Sequence, residues 1–197
     1  MSSPWLRFIR IALSLIGRPR VDLLATTRVS IRIWPNDLDA NMHVNNGRYL
    51  TLADLGRMDW FVRTGVYATA KRQGVFPVVG DSLAKYRREL RLFQKVDLET
   101  RLVGWSGRWG FLEHRFIREG RVVAVVGIRG AFRGPNGAID SWEFLSELNK
   151  RAAAGSGAAG VPASPPLPAW TQTFYESAEA VSSMLRTEEK GISTSAY

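Results

Sequence analysis

Cysteine is absent from the 197-residue chain, which excludes disulfides, thiolate metal sites and a cysteine nucleophile, and fits a reducing compartment. Histidine is scarce. His43 and His114 are the two imidazoles, too few for an ordinary transition-metal site, so no metal is expected. Nor is there an apolar run of the roughly 20 residues that a membrane-spanning helix needs. The stretch after Arg10 stops at Gly17 and runs into Arg18, Pro19 and Arg20. No small-x-small cleavage site follows it, which argues against a secretory signal and for a cytoplasmic location. Acids are outnumbered, 18 against 27 Lys and Arg, for a net charge of +9. Residues 1–35 hold six Arg against the single Asp22, so +5 of that excess sits at the N-terminus. No aromatic-basic recognition motif accompanies the charge, and nucleic acid is not an expected partner.

What remains is enough for a sizeable core: 45% of residues are hydrophobic and 11% aromatic, and the length favours one domain with appendages. The N-terminal SPWLRFIRIALSLIGRPR reads as an amphipathic helix, with Ser3 as N-cap, Pro4 in the first turn and a polar stripe of Arg7, Arg10, Ser14 and Arg18. Residues 1–20 therefore form an appendage. Residues 4–20 suit either a peripheral contact with an anionic membrane surface or packing on the chain's own domain or on a subunit.

Further on, Val29, Ile31 and Ile33 alternate with Arg28, Ser30 and Arg32, the period-two signature of a strand with one buried face. From Asn46 to Arg63 the period becomes helical, with Tyr49, Leu52, Ala53, Gly56 and Trp60 on one face. After Gly65 the pattern reads as strands near 76–90, 95–105, 109–119 and 121–133, with turns at SGR and REGR short enough for an antiparallel meander. VVAVVGI, apolar on both faces, is expected at the centre of the sheet. A short helix is expected over 141–151. Residues 152–197 open with an Ala, Gly, Ser and Pro linker, carry a helix near 170–186, and are expected to be dispensable for chemistry.

Between strand and helix lies DLDANMHVNNGRYL, Asp37 to Leu50. Asp39, three residues, then His43-Val44-Asn45-Asn46, with Tyr49, Asp54 and Arg57 on the helix, resembles the motif of the hotdog-fold acyl-CoA thioesterases of the 4-hydroxybenzoyl-CoA thioesterase-like group. The likeness spans about residues 26–135, within a domain drawn at 26–151. It implies an α+β fold in which a curved antiparallel sheet wraps a long buried helix, here with an extra N-terminal amphipathic helix. It also implies thioester hydrolysis at the interface of a homodimer, alone or as a dimer of dimers, with coenzyme A entering as part of the substrate and no separate cofactor.

The residues supply a chemical reason. Thioester hydrolysis needs a base or nucleophile near the carbonyl carbon and donors aimed at the oxygen that becomes negative. The first N–H groups of a helix lack intrahelical partners and carry partial positive charge, so the Asn46 amide is the candidate oxyanion donor. The resemblance places the reactive carboxylate at Asp39 and leaves Asp37 a turn role. His43, the third site candidate, is expected chiefly to fix the loop through hydrogen bonds to backbone or Asn45. Asp54 and Arg57 should pair along the helix. For the substrate, Arg87, Arg88 and Arg91 suit coenzyme A phosphates, as Lys95, Arg129 and Arg133 could. Tyr49, Trp60, Phe61 and Phe76 are candidate lining for the acyl group. Two alternatives stay open: an acyl-thioester hydratase, which would need a working His and acid, and a non-catalytic binder of acyl thioesters or membranes.

Overall fold

Alternation along Thr27–Arg32 buries Thr27, Val29 and Ile31 and exposes Arg28, Ser30 and Arg32, forming strand β1. In the computed structural model, which describes residues 4–15, 17–141, 143–148 and 163–194, helix α1 (Pro4–Ser14) precedes it. Helix α2 (Asn46–Arg63), helix α3 (Val66–Gln73) and strands β2 (Phe76–Tyr86), β3 (Lys95–Ser106), β4 (Trp109–Arg118), β5 (Arg121–Gly134) and β6 (Gly137–Ile139) follow. A short helix α4 lies at 143–148 and helix α5 at Ala169–Thr194. The chain divides into two units, Met1–Pro165 and Pro166–Tyr197. In the second, α5 runs well beyond the expected 170–186. The expected linker falls mainly outside the described residues, as do the Ser3 cap and the last part of the helix expected over 141–151.

Every strand pairing is antiparallel, and the sheet runs β1-β3-β4-β5-β2, with β6 on β5. The meander is made by tight turns. Arg118 pairs with Arg121 across Glu119 and Gly120, whose φ angles of 51° and 71° are those of a primed hairpin turn. Register shifts at Val79/Asp81, Leu102/Gly104 and Phe116/Ile117 bend the strands, and bulges of this kind curve a sheet. VVAVVGI lies in β5, inside the sheet but one strand from its β2 edge rather than at its centre. Residues 66–73 are helix α3, where the sequence read as strand throughout; Gly65 and Gly74, both left-handed, close its two ends.

α2 buries the expected face, Tyr49, Leu52, Ala53, Gly56 and Trp60. Gly56 sets how closely it lies on the sheet: a Cβ there would stand 2.4 Å from Thr100 Oγ1 and 2.9 Å from Leu98 Cδ2. Helix and strand thus touch backbone to side chain.

α1 packs on its own domain through part of its polar stripe, with Ile11 buried and Arg10 and Ser14 left exposed. Arg7, in the expected polar stripe, points inward to Asp37, with Nη1 3.0 Å from Oδ1. Beyond the helix, Arg18 donates to buried Asp59 at 2.8 Å. Leu6, Ile9 and Leu13 face outward, 55%, 53% and 62% exposed. Two buried carboxylates outcompete water for the guanidinium groups, because an ionised acid under the surface needs a partner. No helix among the described residues is long and apolar enough to cross a membrane.

Candidate active site

The loop between β1 and α2 is a miniature hairpin. Leu38 bridges Val44, the Asp39 N–H donates to the His43 carbonyl at 2.9 Å, and the Asn45 N–H donates to the Asp37 carbonyl at 2.8 Å. Met42 turns the tip with φ 60°. Asp39 holds that tip, its Oδ1 accepting from the Asn41 N–H at 2.9 Å and the His43 N–H at 3.4 Å. This is the side chain to backbone turn that aspartate favours. It leaves Oδ2 without a partner among the described residues, on a half-buried side chain.

Asn45 caps α2, its Oδ1 accepting from the Gly47 N–H at 2.9 Å, and its carbonyl accepts from the Arg48 N–H at 2.9 Å. Just before these two satisfied donors, the Asn46 N–H meets no acceptor among the described residues. It is the orphan donor that a helix start supplies. The Asn46 carbonyl is occupied, accepting from the Tyr86 hydroxyl at 3.0 Å. Along the ladder Asp39 and Asn46 are a few residues apart, on the order of 7–10 Å at about 3.4 Å per residue.

Asp37 does more than fill the turn role expected of it. It is fully buried and gathers charge from two helices: Arg7 of α1, and Arg48 of α2, whose Nη2 lies 3.0 Å from Oδ1. The Trp34 N–H donates to its Oδ2 at 2.9 Å. Burial by itself would raise the carboxyl's pKa, but Arg7, the Trp34 amide and Arg48 together outweigh it and hold the group below its ordinary range. Asp37 is a concealed anion that ties both helices to the loop. Spacing could not reveal it, because its partners lie 30 residues before it and 11 after.

His43 also finds a partner other than those expected. Its Nε2 lies 2.9 Å from Glu89 Oε2, and Glu89 is shared with Arg91. His43 bridges Arg91 as well, and the Val44 N–H donates to the Leu90 carbonyl at 2.9 Å. The segment after β2 is therefore laced to the motif loop. It carries Arg87, Arg88 and Arg91 to a wide cleft of about 800 Å³, completed by Arg118 and Arg121. Arg91 and Arg118 are paired there with Glu89 and Glu119, whereas the side chains of Arg87, Arg88 and Arg121 have no acid partner among the described residues. Arg129 is placed elsewhere: it is buried, paired with Asp81 and stacked 4.1 Å over Trp109. It cannot serve a phosphate.

A second hollow, about 200 Å³, lies at the other end of α2. Trp60, Phe61, Val79, Leu102, Phe132 and Phe144 are among its walls, with Arg57 at its edge. Tyr49 is absent from that lining. It is core, packed 5.0 Å from Tyr86 and 5.1 Å from Phe116, and burial pushes its hydroxyl up to about 12. Phe76 is an exposed residue of β2 and does not line the hollow. Asp54 and Arg57 pair as expected. Buried His114 bonds Thr100 through Nδ1 at 2.9 Å, and burial together with the nearby Arg57 lowers it to about 3, so it is neutral. No cluster of acids and imidazoles suited to a metal occurs among the described residues.

A buried helix on a curved antiparallel sheet, with a polar loop at the helix start, defines a hotdog protein with a candidate acyl-transfer site. The chain belongs to the thioesterase-like superfamily, whose model matches residues 33–173. It is 37% identical over 96 residues to Protein THEM6 of Xenopus laevis, covering 49% of this chain and 46% of that one. It is 36% identical over 99 residues to Protein THEM6 of Danio rerio, covering 50% and 49%. The chain spans about half the length of these relatives. Among solved structures it resembles the YbaW probable thioesterase from Escherichia coli, with TM-score 0.58 and 24% identity over 62% of this chain and 96% of that one. It also resembles a DHNA-CoA thioesterase from Staphylococcus aureus, with TM-score 0.56 and 17% identity over 68% and 96%. At these identities the likeness is one of fold.

Proposed function

We propose that the protein hydrolyses acyl-CoA thioesters. One observation carries this reading: an unpaired helix-start amide and a half-buried carboxylate share a small loop that is bonded to an arginine-lined cleft. Phosphates of coenzyme A occupy the cleft beside Arg87, Arg88 and Arg121, where guanidinium groups make charge-assisted bonds. The thioester then reaches the loop. The Asn46 N–H takes the carbonyl oxygen as it becomes negative, a stabilisation that is greater in the transition state than in the ground state. Asp39 Oδ2 either removes a proton from the attacking water or attacks the carbonyl carbon itself. In the first route the water oxygen bonds to carbon, its proton passes to Asp39, and collapse of the tetrahedral intermediate expels the thiolate of coenzyme A. The products are the free acid and coenzyme A.

The pairing of His43 with Glu89 supports a second reading, since a hydratase acting on an enoyl thioester would need an imidazole held by an acid. Thiol release and enoyl hydration, measured across short, long and aromatic acyl-CoA esters for wild type and Asp39→Asn, separate the two. The expected result is thiol release that disappears in a folded Asp39→Asn protein. Near-normal release by that variant, or hydration without release, overturns the reading.

The same proposal includes a second copy of the chain. β2 is an edge strand with Phe76, Val79, Leu83 and Tyr86 exposed, and an apolar edge of this length invites pairing. Equilibrium sedimentation should give a dimer or dimer of dimers, and Leu83→Lys should weaken it. For α1, the outward Leu6, Ile9 and Leu13 with exposed Arg10 suit the boundary of an anionic bilayer. Ile9→Ser with Leu13→Ser should abolish sedimentation with anionic vesicles while leaving the Arg7–Asp37 pair intact.

A further inference from the structure

Arg7 lies outside the residues that the family model matches, 33–173, yet it reaches the root of the candidate site. Its Nη1 donates to Asp37 Oδ1 at 3.0 Å and its Nη2 to Asp37 Oδ2, while Nη2 also donates to the Arg32 carbonyl at 3.3 Å. Arg48 touches Oδ1 alone. A guanidinium that holds both oxygens of a carboxylate fixes its orientation as well as its charge. The Arg7 side chain is 10% exposed and that of Asp37 0%, so the pair is little screened by solvent.

The backbone of Asp37 carries that grip into the loop. Asp37 and Asn45 close the base of the motif hairpin through the 2.8 Å bond from the Asn45 N–H to the Asp37 carbonyl. Asp39 stands two residues up one arm, and Asn46 directly follows the other. Because Arg7 also bonds the last residue of β1, it spans the corner at which the hairpin leaves the strand. A shift of that base moves the acid and the orphan donor relative to anything held in the arginine cleft, and a displacement of about 1 Å caused far from the reacting atoms can cost about 10²-fold in rate.

The N-terminal segment holds a matching pair for comparison. Arg18 donates to Asp59, equally buried, at 2.8 Å, and Asp59 has Arg63 as a second partner at 3.6 Å. This repeats the plan of Arg7, Asp37 and Arg48 toward the other end of α2, but none of its members belongs to the motif loop. A purely stabilising role would make Arg7 and Arg18 alike in effect.

The geometry points to Arg7 as a positioning residue of the proposed reaction: by gripping Asp37 across the corner after β1, it holds the base of the loop that carries Asp39 and the Asn46 amide. α1 is then a working part of the site and not an appendage to it. This rests on the acyl-CoA reading above for the reaction, so the test includes a readout that needs no turnover. Arg7→Gln, Arg7→Lys and Arg18→Gln are compared in the full chain, with circular dichroism and urea unfolding to establish that each folds. Arg7→Gln should lower kcat on the best acyl-CoA about 10- to 100-fold, while KM stays within about twofold because the cleft arginines are untouched. Arg7→Lys keeps the charge and loses the two-pronged grip, so its kcat should fall about three- to tenfold. Arg18→Gln should lose stability, as any broken buried pair does, with kcat within about twofold of wild type. Without substrate, hydrogen exchange of the Asn45 amide, taken relative to the amides of β3 and β4, should quicken about fivefold or more in Arg7→Gln and stay put in Arg18→Gln.

A folded Arg7→Gln protein with wild-type kcat overturns the inference, and so does an equal loss of kcat in Arg18→Gln. If Arg7→Gln does not fold, Arg7→Lys decides, and wild-type kcat there overturns it as well. Unaltered relative exchange at Asn45 in the folded variant removes the positioning role whatever the turnover. Failure of the thioesterase reading would look different: a wild type that turns over no acyl-CoA, with Asn45 exchange still set by Arg7, would sustain the hold on the loop and remove the reaction.

Discussion

The two ends of α2 are built on opposite plans. At the start, backbone and charge do the work: Asn45 caps, the Asn46 N–H is left open, Asp39 folds its loop onto one carboxylate oxygen, and arginines gather beside it. Toward the end, the walls of the hollow are mostly aromatic and aliphatic. On the proposed function, the difference matches two separate tasks. A reaction that develops negative charge needs prearranged donors and a carboxylate, while discrimination among acyl groups needs shape and a few fixed polar points. Placing them about 21 Å apart on one rigid helix lets either change without the other.

Asp39→Asn is the strongest attempt to break that separation. It preserves the turn-forming shape and removes the negative charge, so kcat on the best thioester should fall by about 10²–10⁴. Binding of free acids in the cavity should stay within about twofold. A change in both would mean that the two ends are not independent.

Asp37→Asn should act on stability first. It leaves Arg7 and Arg48 against a neutral amide in a buried place, and removal of one member of such a group costs about 3 kcal/mol, readable from urea unfolding. The acid limb gives a second signature. Asp37 is held below its ordinary value of 3.8 in the folded protein, so the native state binds that proton less readily than the unfolded chain. Its stabilising contribution is complete above the ordinary value and drains away as pH falls through the lower folded value. Wild type should therefore lose stability in that window more steeply than Asp37→Asn.

Gly56→Ala tests the middle of the helix. The new methyl would lie 2.4 Å from Thr100 Oγ1 and 3.0 Å from Leu98 Cγ, so helix and sheet must separate. Overpacking of this kind costs about 1–3 kcal/mol. The melting temperature should drop.

These sites differ in how far the sequence disclosed them. β1, α2 and the meander were legible because their signals are local: period two, period 3.6, and glycine at the turns. The motif loop was legible for a related reason, its polar residues being crowded into ten positions. Asp37 was read as a turn former alone, which it is through Trp34, because the rest of its role depends on Arg7, which arrives only when α1 folds back. The same contact decides how α1 sits, which the sequence left open, since periodicity identifies a helix's two faces but not which one meets the protein. α3 was missed because VYATAKRQ spans only eight residues, too few for a periodicity to stand out. The far cavity could not be foreseen: its lining is drawn from α2, α3, β2, β3, β4, β5 and α4, and aromatic residues that line a pocket look the same in sequence as those that fill a core.

The smallest effect is expected at His43. It is exposed enough to keep water, its partner Glu89 is more exposed still, and Glu89 is already shared with Arg91. A pair so placed contributes on the order of 0–1 kcal/mol. His43→Gln should therefore leave the urea midpoint nearly unchanged. The backbone bonds that shape the tip, from Asp39 to His43 and from Val44 to Leu90, do not involve the imidazole, so the carboxylate and the Asn46 amide should keep their places. The expected change in kcat is less than about tenfold, below the 10²–10⁴ that a general base supplies. KM should rise more than kcat falls, because losing the imidazole frees Glu89 to compete with phosphate for the arginines of the cleft. A loss of 10²-fold or more in kcat with KM unchanged would make His43 the acting base, and would move the chemistry from the Asp39 carboxylate to the imidazole that Glu89 holds.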